Sequence, residues 1–188
     1  MTSQPGTPLR RVAVFCGSAL GSNPAFRAEA AALGAAIAKA SLGLVYGGAN
    51  CGLMGVVADA VLAEGAEAIG VLPEVLSGHE IAHAGLTRLE LVGSMHERKA
   101  RMHELADAIL VLPGGYGTLD ELLEAVTWAQ LGIHAKPVVL INPANFWDGL
   151  LEFLDTAVEN GFIHQRNREL MRVAANAAEA LAMIGVRS

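Results

Sequence analysis

A carboxylate set one turn inside a glycine-rich helix start is the feature of this chain most able to do chemistry. The segment Pro113-Gly114-Gly115-Tyr116-Gly117-Thr118-Leu119-Asp120-Glu121 follows the apolar run Ala108 to Leu112 and continues into the helical pattern Leu122-Leu123-Glu124-Ala125-Val126. A strand that ends in glycines and opens a helix forms an anion site. The first N–H groups of the helix lack internal partners, the helix dipole adds positive potential, and glycine lets a phosphate reach the backbone. A phosphate-holding turn has no need of Glu121 beside it. The acid points to a reaction at the sugar of a nucleotide.

Two further turns share this character. Cys16-Gly17-Ser18 and Tyr46-Gly47-Gly48 each follow an apolar run. In a parallel sheet, turns after successive strands open on the same edge, so Gly17, Ser18, Gly47, Gly48 and Gly114 are expected around one crevice. None of the three is a standard cofactor fingerprint. Gly47-Gly48-Ala49-Asn50-Cys51-Gly52 lacks the dinucleotide-binding spacing, Glu67 precedes its strand instead of ending it, and there is no Gly-Lys-Ser/Thr run.

A cationic cluster lies just upstream, in Ser94-Met95-His96-Glu97-Arg98-Lys99-Ala100-Arg101-Met102. Ser94 and Glu97 fit a capping box. Arg98 and Arg101 fall on one helix face, and cations this near a helix start oppose its dipole, which marks them as candidate ligand contacts. His96 and His103 have no carboxylate or cysteine at ligand spacing, so no metal site is expected.

The elements that must position these residues alternate along the chain. Strands are expected at Arg11 to Cys16, Gly43 to Tyr46, Glu67 to Leu72, Leu89 to Val92, Ala108 to Leu112 and Pro137 to Ile141. Helices are expected at Pro24 to Ala40 with Asn23 as N-cap, Leu53 to Glu64, Ser94 to Ala106 and Thr118 to Leu131. The C-terminal third reads as helical: Trp147 to Glu159, Arg166 to Met171 and Ala175 to Met183, with a helix-ending turn at Asn160 to His164. The fold class is α/β, a single Rossmann-like doubly wound parallel sheet with helices on both faces.

At 188 residues, 53% hydrophobic and 17% charged, the chain is expected to form one globular domain over residues 11–188 behind a loose tail, residues 1–10. No apolar run is long enough to span a bilayer, and the tail has no signal-peptide core. A net charge of −6 argues against a nucleic-acid surface but leaves room for a small anion. Cys16 and Cys51, in apolar surroundings at strand ends, are expected to be reduced thiols of a cytoplasmic protein.

Ser94-Met95-His96-Glu97-Arg98-Lys99 taken with Pro113-Gly114-Gly115-Tyr116-Gly117-Thr118-Leu119-Asp120-Glu121 resembles the paired signature of the LONELY GUY family, an Arg-Lys pair followed by PGGxGTxxE. The resemblance extends from about Arg11 to Ile184 and includes Phe15-Cys16-Gly17-Ser18, Val45-Tyr46-Gly47-Gly48 and Thr127-Trp128-Ala129-Gln130-Leu131-Gly132. Members are cytokinin riboside 5'-monophosphate phosphoribohydrolases, once labelled lysine decarboxylase-like. The resemblance implies that Arg98 and Glu121 are the catalytic pair. It implies that Gly114, Gly115, Gly117 and Thr118 cradle the 5'-phosphate, and that Tyr116, Leu119, Asp120, Lys99, Glu80 and Thr127 are further substrate-binding positions. It also implies a homodimer with the active site near the interface, a nucleoside 5'-monophosphate substrate, and no metal or organic cofactor.

Cleavage of an N-glycosidic bond passes through an oxocarbenium-like sugar, which a carboxylate stabilises while orienting or deprotonating the attacking water. Two other readings stand beside this one. A literal lysine decarboxylase needs pyridoxal phosphate on a lysine, and the chain offers Lys39, Lys99 and Lys136. A non-catalytic Rossmann-like nucleotide-binding or sensor protein needs the phosphate turn but not Glu121.

Overall fold

The computed structural model describes residues 9–77 and 82–186. The expected continuous apolar runs become central strands because both of their faces are covered. Along β1 (Arg11–Phe15) the side chains alternate: Val12 and Val14 enter the core on one face, Ala13 and Phe15 the core on the other. β5 (Ala108–Val111) divides in the same way, with Leu110 on the first face and Ile109 and Val111 on the second. A parallel strand buried on both sides has no polar face, which is why its sequence shows no alternation.

The remaining strands are β2 (Gly43–Tyr46), β3 (Ala68–Pro73), β4 (Arg88–Val92), β6 (Val138–Ile141) and β7 (Met171–Ala174). All pair in parallel in one sheet of order β4-β3-β2-β1-β5-β6-β7. One face carries α1 (Pro24–Lys39), α2 (Gly52–Ala63) and α8 (Ala177–Met183). The other carries α4 (Met95–Leu105), α5 (Tyr116–Gln130) and α6 (Asp148–Glu159), while α3 (Glu74–Ser77) and α7 (Gln165–Arg168) are single turns. The strand order reverses between β1 and β5, and that switch point opens a crevice at the carboxyl ends. Among the described residues no helix is long and apolar enough to cross a membrane.

The C-terminal third needs correction. Met171 was expected to end a helix and no strand was expected there, yet Met171–Ala174 is the seventh strand, paired with β6 in the register Val138↔Met171 to Ile141↔Ala174. Four residues carry too little periodicity to announce a strand. The hydrogen-bonding edge of β6 supplies what local propensity does not. Two local features differ as well. Asn23 caps α1 as expected, but in the Ser94 cap Glu97 accepts from the N–H of Gly93 at 2.8 Å, one residue earlier than a capping box requires. Cys51 is exposed at the start of α2, whereas Cys16 is buried, and that burial pushes its thiol pKa up. Residues 1–8 of the expected tail, and Glu80, lie outside the described residues.

A histidine cluster lies under the amino ends of the strands. His103 is only 4% exposed, stacks within 4.7 Å of Trp128 and 5.4 Å of His134, and neither of its ring nitrogens has a protein partner. Burial, then the neighbouring His134, Lys136 and Lys99, pushes its pKa down to about 4. His134 is lowered by burial and by Lys136. Both rings are therefore neutral in the fold, while an unfolded chain takes up their protons below roughly pH 6.5. Stability from this cluster is fully present above that pH and is lost as pH falls toward about 4. The expected cost from His103 is on the order of 3 kcal/mol. The H103F variant, which keeps a ring in the stack, should lose much less thermal stability than the wild type between neutral pH and pH about 4.5. Calorimetric melting across that range checks it, and equal losses would exclude His103 as the cause.

Candidate active site

Two backbone hydrogen bonds assemble the crevice. The N–H of Gly17 donates to the carbonyl of Pro113 at 3.0 Å, and the N–H of Leu53 donates to the carbonyl of Gly17 at 3.0 Å. These bonds tie the turn after β1 to the turn after β5 and to the start of α2. The close approach explains Gly114. A β-carbon there would lie 2.0 Å from the Thr118 hydroxyl oxygen and 2.9 Å from the backbone nitrogen of Gly17. Thr118 is buried, and it packs over the glycine turn. Gly115 is the N-cap of α5 and provides no side-chain cap, so the first N–H groups of the helix face the crevice without a side-chain acceptor.

One turn further into α5, Glu121 meets a cation from α4. Arg98 donates from Nη1 to Glu121 Oε1 at 2.9 Å and from Nε to the carbonyl of Val71 on β3 at 3.1 Å. The two side chains are 12% and 9% exposed. The capped start of α4 aims Arg98 across the carboxyl ends of β2 and β3, and Gly47 at the end of β2 makes the space. A β-carbon on Gly47 would sit 2.1 Å from Arg98 Nη2. Burial raises the pKa of Glu121 above the usual carboxylate range, while the charge and hydrogen bond of Arg98 oppose that rise. A charged donor at 2.9 Å favours the ionised form of the carboxylate. The result is a buried carboxyl group beside a helix start whose first N–H groups have no side-chain cap.

Lys99 does not point toward this pair. Its ammonium lies 2.9 Å from Asp120 Oδ2 and 3.0 Å from Glu124 Oε2. Arg98 and Arg101, expected on one face, have separate partners, since Arg101 binds Glu90 and Glu104 near the surface. Tyr116, Gly117 and Asp120 are exposed at the mouth, Leu119 packs against the core, and Gly17, Ser18, Gly47 and Gly48 surround the crevice. Thr127 is nine residues beyond Thr118, roughly 14 Å along the helix, and lines an outer groove with Leu123, Ile163 and Arg168.

Sequence reasoning did not identify Val71, whose role is a backbone carbonyl and leaves no side-chain signal. It also passed over the match between the adjacent cations Arg98 and Lys99 and the adjacent acids Asp120 and Glu121. Phe26 and Phe146, in edge contact at 5.3 Å, were missed too, and they wall an apolar cavity of about 270 Å³ that abuts Gly17, Ser18 and Gly115. A larger cavity, about 470 Å³, lies at the opposite edge beside Arg10, Ser41 and Glu67, away from the switch point and its chemistry. Among the described residues no group of three or more His, Cys, Asp or Glu side chains could hold a metal ion.

A family model described as "Possible lysine decarboxylase" matches residues 54–184. The chain is 46% identical over 170 residues to the cytokinin riboside 5'-monophosphate phosphoribohydrolase LOG7 of Arabidopsis thaliana, covering 90% of this chain and 78% of that protein. The chain belongs to the LONELY GUY family. It is also 49% identical over 168 residues to the probable cytokinin riboside 5'-monophosphate phosphoribohydrolase LOGL9 of Oryza sativa subsp. japonica, covering 89% of this chain and 74% of that one. The molybdenum cofactor binding protein of Rippkaea orientalis has a similar fold, with a TM-score of 0.72 at 21% identity over 95% of this chain and 97% of that chain. At that identity the likeness concerns the fold alone.

The close approach of Gly47 to Arg98 gives a direct test of the LONELY GUY site. The G47A variant should displace the guanidinium from Glu121 and lower nucleotide turnover at least about tenfold if that pair acts in the reaction. Its melting temperature should fall as well, since the displaced guanidinium leaves the buried Glu121 carboxyl without its partner. Wild-type turnover in this variant would show that the guanidinium position is not required.

Proposed function

We propose that the protein hydrolyses the N-glycosidic bond of cytokinin riboside 5'-monophosphates, and more generally of adenosine 5'-monophosphates with or without an N6 substituent, releasing the free base and ribose 5-phosphate. The observation that carries this reading is the buried Arg98–Glu121 pair one turn inside the uncapped start of α5. The family membership and the activity named for its relatives support it.

The 5'-phosphate binds at the N–H groups of Gly115, Tyr116 and Gly117, where Gly114 and Thr118 fix the backbone. That placement brings the ribose over Glu121. As the bond from C1' to the base nitrogen breaks, its electron pair leaves with the base and positive charge develops on the sugar. The Glu121 carboxylate stabilises that charge and removes a proton from the water that attacks C1'. The hydroxyl of the water ends on C1' and its proton is available to the departing base. A raised carboxylate pKa suits this role, since a base titrating nearer to neutral pH accepts the proton more readily. Arg98 acts electrostatically and fixes the carboxylate; its guanidinium does not deprotonate in a protein, so it is not the acid.

The decarboxylase reading fails on its lysines. Lys39 ends α1 at the amino edge of the sheet, Lys136 donates to the carbonyl of His103, and Lys99 is held as a cation by two acids. Imine formation needs a free neutral amine. The non-catalytic reading leaves the buried carboxylate without a purpose. Leu123, Leu131, Ile133, Phe153 and Phe162 expose apolar side chains, a surface that a second copy of the chain would cover in a homodimer. The cell compartment that fits a nucleotide substrate and two free cysteines is the cytoplasm.

The expected outcome with purified protein is release of base and ribose 5-phosphate from N6-isopentenyl-AMP, and more slowly from AMP. The E121Q and R98A variants should each lower turnover at least about a thousandfold, as expected when a group acting on the transition state is removed. Chromatography of both products decides it. Nucleotide binding with no base release from the wild type would establish the sensor reading instead.

A further inference from the structure

The second cation of the Arg98-Lys99 pair has a geometry unlike that of a phosphate ligand. The Lys99 side chain is 7% exposed, and its ammonium sits between Asp120 and Glu124, which flank Glu121 in α5. Ammonium has three donors, and two of them are directed at these carboxylates. Asp120 is itself 60% exposed at the mouth of the crevice and Glu124 is 22% exposed, so the acids lie to the outside of a nearly buried cation. Two neighbouring residues of α4 thus grip three acids of α5. Arg98 takes Glu121 toward the crevice, and Lys99 takes Asp120 and Glu124 on the flank.

We infer that Lys99 is a positioning residue, which clamps α5 to α4 and neutralises the acids beside Glu121, and does not bind the nucleotide phosphate. The inference rests on the phosphoribohydrolase reading of the same site. Its physical content is electrostatic as well as steric. Glu121 is faced by Arg98 and Lys99 from α4, by Asp120 from its own helix, and by Cys16 just after β1. Burial is the main effect raising the Glu121 pKa; Asp120 raises it further, and Arg98 and Lys99 lower it. For Lys99, burial pulls the pKa down, but the hydrogen bonds to Asp120 and Glu124 outweigh it and raise the value. Loss of Lys99 leaves Asp120 unopposed next to the catalytic carboxylate. Glu121 would then hold its proton to higher pH, and less of the enzyme would carry the ionised base.

The test is the pH dependence of kcat and KM for N6-isopentenyl-AMP in K99M, K99R, D120N and the double variant K99M/D120N. For K99M, kcat at neutral pH should fall about tenfold while KM changes less than about threefold, and the acidic limb of kcat should move to higher pH. K99R keeps the charge and should keep most of the activity. D120N removes an exposed acid that raises the Glu121 pKa, so its acidic limb should move to lower pH. In the double variant the limb should return toward that of the wild type, the coupling expected of a contacting pair. A K99M variant with KM raised about tenfold and an unmoved limb would overturn the inference and make Lys99 a phosphate ligand. An unmoved or raised limb in D120N would overturn it too, and that arm decides the matter if K99M does not fold. Absence of base release from the wild type, in contrast, would count against the underlying activity and not against the clamp.

Discussion

A charged carboxylate removed from water must be compensated, and in this protein Arg98 compensates Glu121. Two ions at 2.9 Å with little solvent around them persist only if both are present. Removing one partner of such a pair leaves an uncompensated charge, at a cost of about 3–5 kcal/mol. The surroundings follow from this requirement. Gly47 has no side chain because the guanidinium occupies that space, and the Val71 carbonyl takes the donor that Glu121 does not use. The arrangement adds less to stability than a well-packed apolar pair would.

The sheet makes the pair possible. Parallel pairing sends β1, β2, β3 and β5 toward one edge, so the turns after β1, β2 and β5 deliver Gly17, Gly47 and Gly114 to the place where β3 itself presents Val71. The reversal of strand order between β1 and β5 keeps the connecting helices from covering that edge. Helix α5 starts there, with its N–H groups toward the crevice and Glu121 one turn below, while α4 packs alongside and supplies Arg98. The uncapped N–H groups and the buried Arg98–Glu121 pair are therefore two consequences of where one helix begins.

Much of this was legible in the residues. Continuous apolar runs located the central strands, β2 at its exact bounds, because complete burial leaves an unambiguous composition. Glycine turns after strands indicated the crevice, because close backbone approach tolerates no other residue at Gly114. What was not legible depended on partners remote in sequence. β7 exists because β6 offers it an edge. The direction of Lys99 is set by acids on another helix, and the carbonyl of Val71 has no sequence signature at all. The outer position of Thr127, in a groove with Leu123, Ile163 and Arg168, follows from helix phase.

The central claim is that Glu121 is an ionised base at neutral pH, held so by Arg98 in spite of burial. Infrared difference spectroscopy of the wild type against E121Q, followed through a pH titration, reads that single carboxyl directly. The account predicts a carboxylate signal at neutral pH that converts to the protonated form at a pH above the ordinary glutamate range. A protonated Glu121 at neutral pH would contradict it, and would make this residue an acid in the reaction instead of the base.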